Sequence, residues 1–200
     1  MGIVGSQSPT DVSRSNTASQ DPPLGVTQSS LGRGKGAHSP DKGTSLHTAS
    51  EEGDIETVRS LLDSGTDVNE RDEVHWTPVC YASWGGMVEV VKLLIENGAD
   101  VNSHSGTGVT PLLSASEKGH LDVVGLLLDH GADVNAEKHN HWTPLHCASQ
   151  CGHFEVVEAL LKKGANVRVR NDEGQTPSQL ASRRGRRNIV RLLSEYDIMA

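Results

Sequence analysis

Apolar positions along the chain recur in short helical patterns that are separated by polar turns. The segment MVEVVKLLIEN, residues 87–97, places four apolar side chains on one helical face: Val88, Val91, Leu94 and Ile95. Gly98 follows, and glycine readily adopts the left-handed conformation that ends many helices. An earlier helix is expected to start at Thr77 and Pro78, because Thr caps a helix well and Pro at the first helical position needs no N–H. The pattern predicts a pair of short helices.

This unit recurs with a period of 33 residues. The Thr-Pro pair starts at Thr77, Thr110, Thr143 and Thr176. Five alanines keep the same phase: Ala49, Ala82, Ala115, Ala148 and Ala181. Because one helix pair is too small to bury its own apolar face, stacked neighbours must form the core. The sequence predicts an all-α solenoid of helix-turn-helix units with short hairpin-like loops, repeated at about 43–75, 76–108, 109–141, 142–174 and 175–200.

The repeats resemble the ankyrin repeat. The family pattern T-P-L-H-x-A is matched by five residues: Thr143, Pro144, Leu145, His146 and Ala148. The later pattern G-H-x-x-V-V-x-x-L-L-x-x-G-A-D-V-N is nearly complete in residues 119–135 and 152–166. The resemblance implies an ankyrin-repeat protein of five repeats, in which the first and last act as caps. It also implies a non-catalytic protein-interaction module, scaffold or adaptor that binds through a concave face of loop tips and first helices.

The end repeats depart from the pattern as caps are expected to do. In the last repeat, Ser178 and Ser194 stand where the other copies have large apolar residues. The same repeat carries five arginines: Arg183, Arg184, Arg186, Arg187 and Arg191. The first repeat lacks the proline and has Thr57 where its neighbours have valine. We therefore expect a solvated face at the last repeat and the earliest fraying at the first.

Residues 1–42 differ in kind from the repeats. They are rich in Ser, Thr, Gly and Pro and poor in large apolar residues, so a disordered tail is expected ahead of a repeat domain at 43–200. The opening MGIVGS matches the N-myristoylation pattern with Gly2 as acceptor, which leaves a membrane-tethered signalling adaptor as an alternative. With no secretory signal or apolar span visible, the cytoplasm is expected, with the nucleus as a further location.

Charge is unevenly distributed over a chain whose formal net charge is −8. Residues 43–159 contain five basic and nineteen acidic groups, whereas residues 160–200 contain nine basic and four acidic groups. This pattern favours a protein partner with basic and apolar groups near the first four repeats, bound by a monomer. The Arg-rich last repeat leaves a nuclear or nucleic-acid-associated role as an alternative, although a solvated capping helix is the simpler interpretation.

Five potential zinc ligands lie close together in the fourth repeat: His141, His146, Cys147, Cys151 and His153. The repeats assign these residues to different structural slots, and a zinc site needs four converging ligands. The resemblance implies that the T-P-L-H histidine hydrogen-bonds within the repeat backbone. His75 and His141 occupy the turn slot of Gly108 and Gly174, which predicts a positive φ. With no G-x-S-x-G or H-E-x-x-H motif either, we expect no metal, no cofactor and no enzyme.

The candidate partner-binding residues follow from the surface that the resemblance implies. Trp76 and Trp142 directly precede Thr-Pro pairs, and Trp84 ends the first helix of the second repeat. Tryptophan is enriched among interface anchors, although Trp76 and Trp142 have the alternative of packing on the neighbouring turn. Seven charged residues complete the set at the groove or its rim: Arg71, Glu73, Glu117, Lys118, Glu137, Arg183 and Arg184.

Overall fold

The computed structural model describes residues 45–199 of the chain. Within this range the chain forms ten α-helices, arranged as five pairs of a first and a second helix. The helices are α1 (Leu46–Glu52), α2 (Ile55–Asp63), α3 (Pro78–Gly85), α4 (Val88–Glu96), α5 (Pro111–Lys118), α6 (Leu121–Asp129), α7 (Pro144–Cys151), α8 (Phe154–Lys162), α9 (Pro177–Arg183) and α10 (Arg187–Met199). The all-α solenoid that the period predicts is confirmed.

The first helices begin at the predicted caps. The hydroxyls of Thr110, Thr143 and Thr176 accept a hydrogen bond from the backbone N–H three residues later, and a proline follows each. In the first repeat Ser45 takes this role and accepts from the N–H of Thr48. Thr77 differs, because its hydroxyl instead lies 2.9 Å from that of Ser103 in the following loop. A side-chain cap therefore marks the start of four of the five first helices, with or without the proline, whereas α3 begins at Thr77 and Pro78 without one.

The first helices of the first four repeats end at glycines in the left-handed conformation. At Gly119 φ is +81°, and a Cβ there would lie 2.5 Å from the ring of His153. Gly86 meets His120 in the same way at the preceding repeat boundary. The glycine thus serves two purposes, because it ends the helix and lets a side chain of the next repeat pack directly against its backbone.

One continuous apolar core runs through the stacked repeats. First helices pack against first helices, and second helices against second helices. The five alanines that keep the 33-residue phase are all fully buried. The valines of the corresponding second-helix slot, Val58, Val91, Val124 and Val157, are also fully buried, whereas Val190 in the last repeat is half-buried. Val190 is less buried because no further repeat follows the fifth within residues 45–199.

The loops between repeats are joined to each other through backbone hydrogen bonds. The N–H of Gly106 donates to the carbonyl of Val74 at 3.1 Å, and that of His139 donates to Thr107 at 2.9 Å. The positive φ predicted for the two turn histidines is present, at +63° for His75 and +55° for His141. These loops therefore form a connected row in which histidine tolerates a conformation that favours glycine.

Candidate functional site

The C-terminal ends of the five first helices form a row along one side of the array. Each residue in this row lies 33 positions from its counterpart, and adjacent first helices pack side by side. We call this row the first-helix stripe, and its residues are Glu51, Glu52, Trp84, Gly85, Glu117, Lys118, Gln150, Cys151, Arg183 and Arg184. Five of the ten predicted partner-binding residues belong to it.

Trp84 is the largest side chain of the first-helix stripe and is half-buried. Its ring packs edge-on against Trp76, with 6.1 Å between the centroids. The ammonium of Lys118, on the neighbouring first helix, lies 3.5 Å from the centre of the Trp84 ring. A cation at that distance over the face of an indole is attracted by the ring electrons. Trp84 is therefore held in place on both sides while part of its surface faces outward.

Trp76 is buried against two neighbouring aromatic side chains. Only 6% of its surface is exposed, because Trp84 and Tyr81 cover it. The Tyr81 hydroxyl donates to Asp72 at 2.7 Å, and the other oxygen of Asp72 accepts from the N–H of Trp76, also at 2.7 Å. Burial, together with the bond to Asp72, raises the pKa of Tyr81 and keeps the phenol protonated. Trp76 therefore supports the Trp84 ring, and its direct contact with a partner stays a prediction.

Trp142 lies outside the first-helix stripe and is half-buried on the loop before the fourth repeat. Its ring centroid lies 5.9 Å from that of His146, and the ammonium of Lys138 lies 5.5 Å from its ring centre. The ring thus packs on His146 of its own repeat and near Lys138 of the preceding turn, which agrees with the alternative of packing on the neighbouring turn. A part of the ring still faces solvent.

His146 has the structural role that the repeat pattern implies. The side chain is fully buried, and its Nδ1 accepts from the N–H of Thr143 at 3.2 Å. Its Nε2 donates to the carbonyl of Gln175 at 3.1 Å, so the bond extends to the next repeat. Burial lowers the pKa of His146, which favours the neutral ring that this pattern needs. The residue caps one helix and ties the fourth repeat to the fifth.

A second set of bonds supports the first-helix stripe and is not apparent from the helix pattern alone. The Nε2 of His120 donates to the carbonyl of Trp84, and that of His153 donates to Glu117, both at 3.0 Å. Arg186 occupies the same slot one repeat later and donates to the carbonyl of Cys151 at 3.0 Å. The signal in the sequence is the 33-residue spacing of His120, His153 and Arg186. The third, fourth and fifth repeats thus each fix the stripe of the repeat before them.

The three cysteines do not form a reactive or metal-binding centre with these histidines. Burial raises the pKa of the Cys147 thiol to about 12 and raises those of Cys80 and Cys151 as well. Because the thiolate is the form that attacks and binds metal, raised values disfavour both reactions. Within residues 45–199, no three His, Cys, Asp or Glu side chains are arranged to hold a metal ion.

The charged candidates fall into two separate groups. Lys118, Arg183 and Arg184 are exposed on the first-helix stripe, where Glu117 is half-buried. The second group is exposed on the loops and consists of Arg71, Glu73 and Glu137. Arg71 and Glu137 line a shallow groove of about 770 Å³ between successive loops. The structure therefore offers a helical surface with one aromatic residue and a separate polar loop surface.

Glu137 forms part of a small ion-pair network on the loops. One of its oxygens lies 2.5 Å from the Nδ1 of His141, whose Nε2 lies 3.7 Å from Asp172. The hydrogen bond and charge of Glu137, helped by Asp172, raise the pKa of His141. Exposed pairs of this kind contribute little to stability. Their effect is to orient the loop before the fourth repeat.

A family comparison agrees with this architecture. The model for ankyrin repeats, which describes three copies, matches four overlapping segments: residues 18–105, 46–138, 97–171 and 135–200. The chain belongs to the ankyrin-repeat family. Repeats of this family generally serve as protein–protein interaction modules and not as catalysts. A search among curated proteins gave no match.

Two predictions concern membranes. Within residues 45–199, none of the helices combines the length and the apolar character needed to cross a bilayer. Gly2, the predicted acylation site, lies outside the described residues.

Proposed function

We propose that this chain is a non-catalytic adaptor that binds a protein partner through the first-helix stripe, with Trp84 as the central anchor. The observation that carries the proposal is the Trp84 ring, which is half-buried on the surface of the stripe and held by Trp76 and Lys118. Interface energy concentrates in such residues, and tryptophan is among the most frequent. A ring that is already held loses little conformational entropy on binding.

The remaining candidates have supporting roles in this proposal. Glu117, Lys118, Arg183 and Arg184 flank the anchor along the first-helix stripe. Three exposed loop residues form an outer rim: Arg71, Glu73 and Glu137. Trp142 is a secondary contact on the loop side, and Trp76 acts by supporting Trp84. The partner presents basic and apolar groups to the acidic first repeats, and field complementarity speeds its association.

The proposal places a monomeric adaptor in the cytoplasm or nucleus. Two alternative functions rest on sequence features: a membrane tether at Gly2 and a polyanion contact by the arginines of the last repeat. Arg183, Arg184 and Arg187 are exposed, but a basic surface alone favours non-specific contact with phosphates. Non-specific contact with phosphates gives the Trp84 ring no function, so the protein-binding role is preferred.

The test compares the full chain with its Trp84→Ala and Trp142→Ala variants as baits in a native lysate. Bound proteins are identified by mass spectrometry, and circular dichroism confirms that each variant is folded. We expect at least one partner to bind the full chain and Trp142→Ala, and to bind Trp84→Ala about 30-fold more weakly, as loss of an interface anchor does. Equal binding of every partner by Trp84→Ala contradicts the proposal.

A further inference from the structure

Charge changes sign from the first repeat to the last. The first repeat, residues 43–75, contains two basic and nine acidic residues. The last, residues 175–200, contains five basic and two acidic residues. Because each repeat contacts only its neighbours, the two ends of the array are distant from each other and their charges do not cancel locally. A partner that lies along several repeats therefore meets opposite charges at its two ends.

The first-helix stripe has the same polarity. Its first two residues are Glu51 and Glu52, and its last two are Arg183 and Arg184. Trp84 occupies the second repeat, so the aromatic anchor is next to the acidic end and three repeats away from the basic end. The stripe is thus asymmetric in two respects: its charges differ in sign at the two ends, and its aromatic anchor lies near only one of them.

Contacts between neighbouring helices show that the row is continuous. A Cβ added at Gly85 would lie 3.0 Å from the carbonyl oxygen of Glu51, so α1 and α3 are in close contact there. Lys118 then reaches from α5 to the Trp84 ring. Further along, α5 packs against α7 and α7 against α9. One extended ligand therefore has an unbroken surface from α1 to α9.

At the two ends of the stripe, Glu52, Arg183 and Arg184 are exposed and Glu51 is half-buried. Within residues 45–199, no oppositely charged group lies within 4 Å of Glu51, Glu52, Arg183 or Arg184, although such pairs form elsewhere in the array. The two adjacent glutamates also repel each other, and a bound cation relieves that repulsion. Fields of opposite sign at the two ends favour a ligand with complementary charges in the matching order.

We propose that the first-helix stripe recognises an extended partner segment with a defined order of side chains. Basic residues lie against Glu51 and Glu52, a large apolar residue follows within a few positions against Trp84, and acidic residues lie further along against Arg183 and Arg184. Four helix-to-helix steps of about 9 Å span roughly 36 Å, which an extended chain covers in about eleven residues. This inference rests on the proposed function and specifies the chemistry of the partner at the same surface.

The position of the apolar residue within the segment is the property to test. Two fluorescein-labelled peptides of identical composition serve as probes, RRSGLSGSGSGEE and RRSGSGSGLSGEE. The first has its leucine near the basic end, and the second has it near the acidic end. Binding to the full chain is measured by fluorescence polarisation at low salt. We expect the first peptide to bind about tenfold more tightly, because only its leucine reaches Trp84 while both charged ends are paired.

A charge-swapped variant provides the matched control. It combines four substitutions: Glu51→Arg, Glu52→Arg, Arg183→Glu and Arg184→Glu. The net charge is unchanged, but Trp84 is now next to the basic end of the stripe. This variant is expected to prefer the second peptide by a similar factor. Both preferences are expected to shrink in about 1 M salt, where the Debye length falls to about 3 Å.

Any of three results overturns the inference. The full chain binds the two peptides equally, neither peptide binds at millimolar concentration, or the charge-swapped variant keeps the preference of the full chain. The lysate comparison of Trp84→Ala with the full chain tests the proposed function separately. If a partner depends on Trp84 but the two peptides bind equally well, the proposed function stands. Only the inference that the partner's side chains are recognised in a defined order is then rejected.

Discussion

The ammonium group of Lys118 lies 3.5 Å from the centre of the Trp84 ring, on the neighbouring first helix. The lysine lies over one face of the ring, and Trp76 packs against another side of it. In the unbound protein Lys118 thus shields part of the proposed anchor. A partner that packs on Trp84 must share the ring with this lysine or displace it.

Replacing Lys118 with alanine is expected to expose more of the Trp84 ring without unfolding the protein. The tryptophan emission shifts to longer wavelength, and the free energy of unfolding falls by no more than about 1 kcal/mol, the value of an exposed cation–π contact. Emission spectra and urea titrations measure both effects. Lys92→Ala, an exposed lysine on α4, is the control and leaves the emission unchanged. A shift that persists in the Trp84→Ala background assigns the signal to another tryptophan.

His146 makes the stability of the array depend on pH below neutrality. Burial lowers its pKa, so the unfolded chain, with a histidine pKa of about 6.5, takes up this proton before the folded chain does. Above that pH both states are neutral at this site and the contribution is constant. As the pH falls through about 6.5 and lower, protonation favours the unfolded chain, and stability is lost.

The substitution His146→Gln is expected to flatten this dependence. Gln179 shows that glutamine forms the same cap, because its Oε1 accepts from the N–H of Thr176 at 2.9 Å. The variant loses the bond to Gln175, about 1–2 kcal/mol at pH 7.5, but it no longer titrates. Urea unfolding between pH 7.5 and 5.5 measures how the free energy of unfolding of the parent and of the variant changes with pH. If parent and variant lose stability equally on acidification, the histidine is not the titrating group.

The 33-residue period accounts for most of the fold. The alanines of the pattern are buried in every repeat and its glycines adopt positive φ in every repeat, so one repeat predicts the backbone of the others. The positive φ at His75 and His141 was predictable for the same reason, since glycine fills that slot in neighbouring repeats. Periodicity also separated the histidines and cysteines of the fourth repeat into unrelated structural positions.

The environments of the tryptophans were harder to predict because they depend on residues that do not repeat. Trp76 and Trp142 occupy equivalent slots, yet Trp76 is buried and Trp142 is half-buried. The difference arises from Tyr81 and Trp84, which cover Trp76 and are replaced by Cys147 and Gln150 in the fourth repeat. A repeat pattern fixes the backbone position of a side chain, but variable neighbours decide how much of it remains exposed.

Two glycines that differ in backbone conformation provide a matched pair. Gly119 has φ of +81° and faces the His153 ring, whereas an alanine Cβ at Gly125, within α6, would meet nothing within 4 Å beyond the adjoining part of its own helix. Gly119→Ala is expected to lower the free energy of unfolding by about 2 kcal/mol through strain and displacement of His153. Gly125→Ala is expected to raise it by about 0.5–1 kcal/mol, because alanine favours the helix. Thermal and urea unfolding measure the two changes in the free energy of unfolding. Changes of the same sign contradict the different backbone roles given to the two glycines.

Four buried serines occupy one slot of the first helices, and their hydroxyls have no hydrogen-bond partner within the described residues: Ser50, Ser83, Ser116 and Ser149. A buried hydroxyl without a partner opposes folding. Ser116→Ala is therefore expected to raise the free energy of unfolding by about 1 kcal/mol.

Ser114→Ala is the matched control on the same helix. That hydroxyl is also buried, but it donates to the carbonyl of Thr110 at 3.2 Å. Its removal is expected to be neutral or to cost up to about 1 kcal/mol. Urea titrations of both variants and the parent decide the matter. If Ser116→Ala destabilises the protein as much as Ser114→Ala does, the Ser116 hydroxyl forms a hydrogen bond in solution.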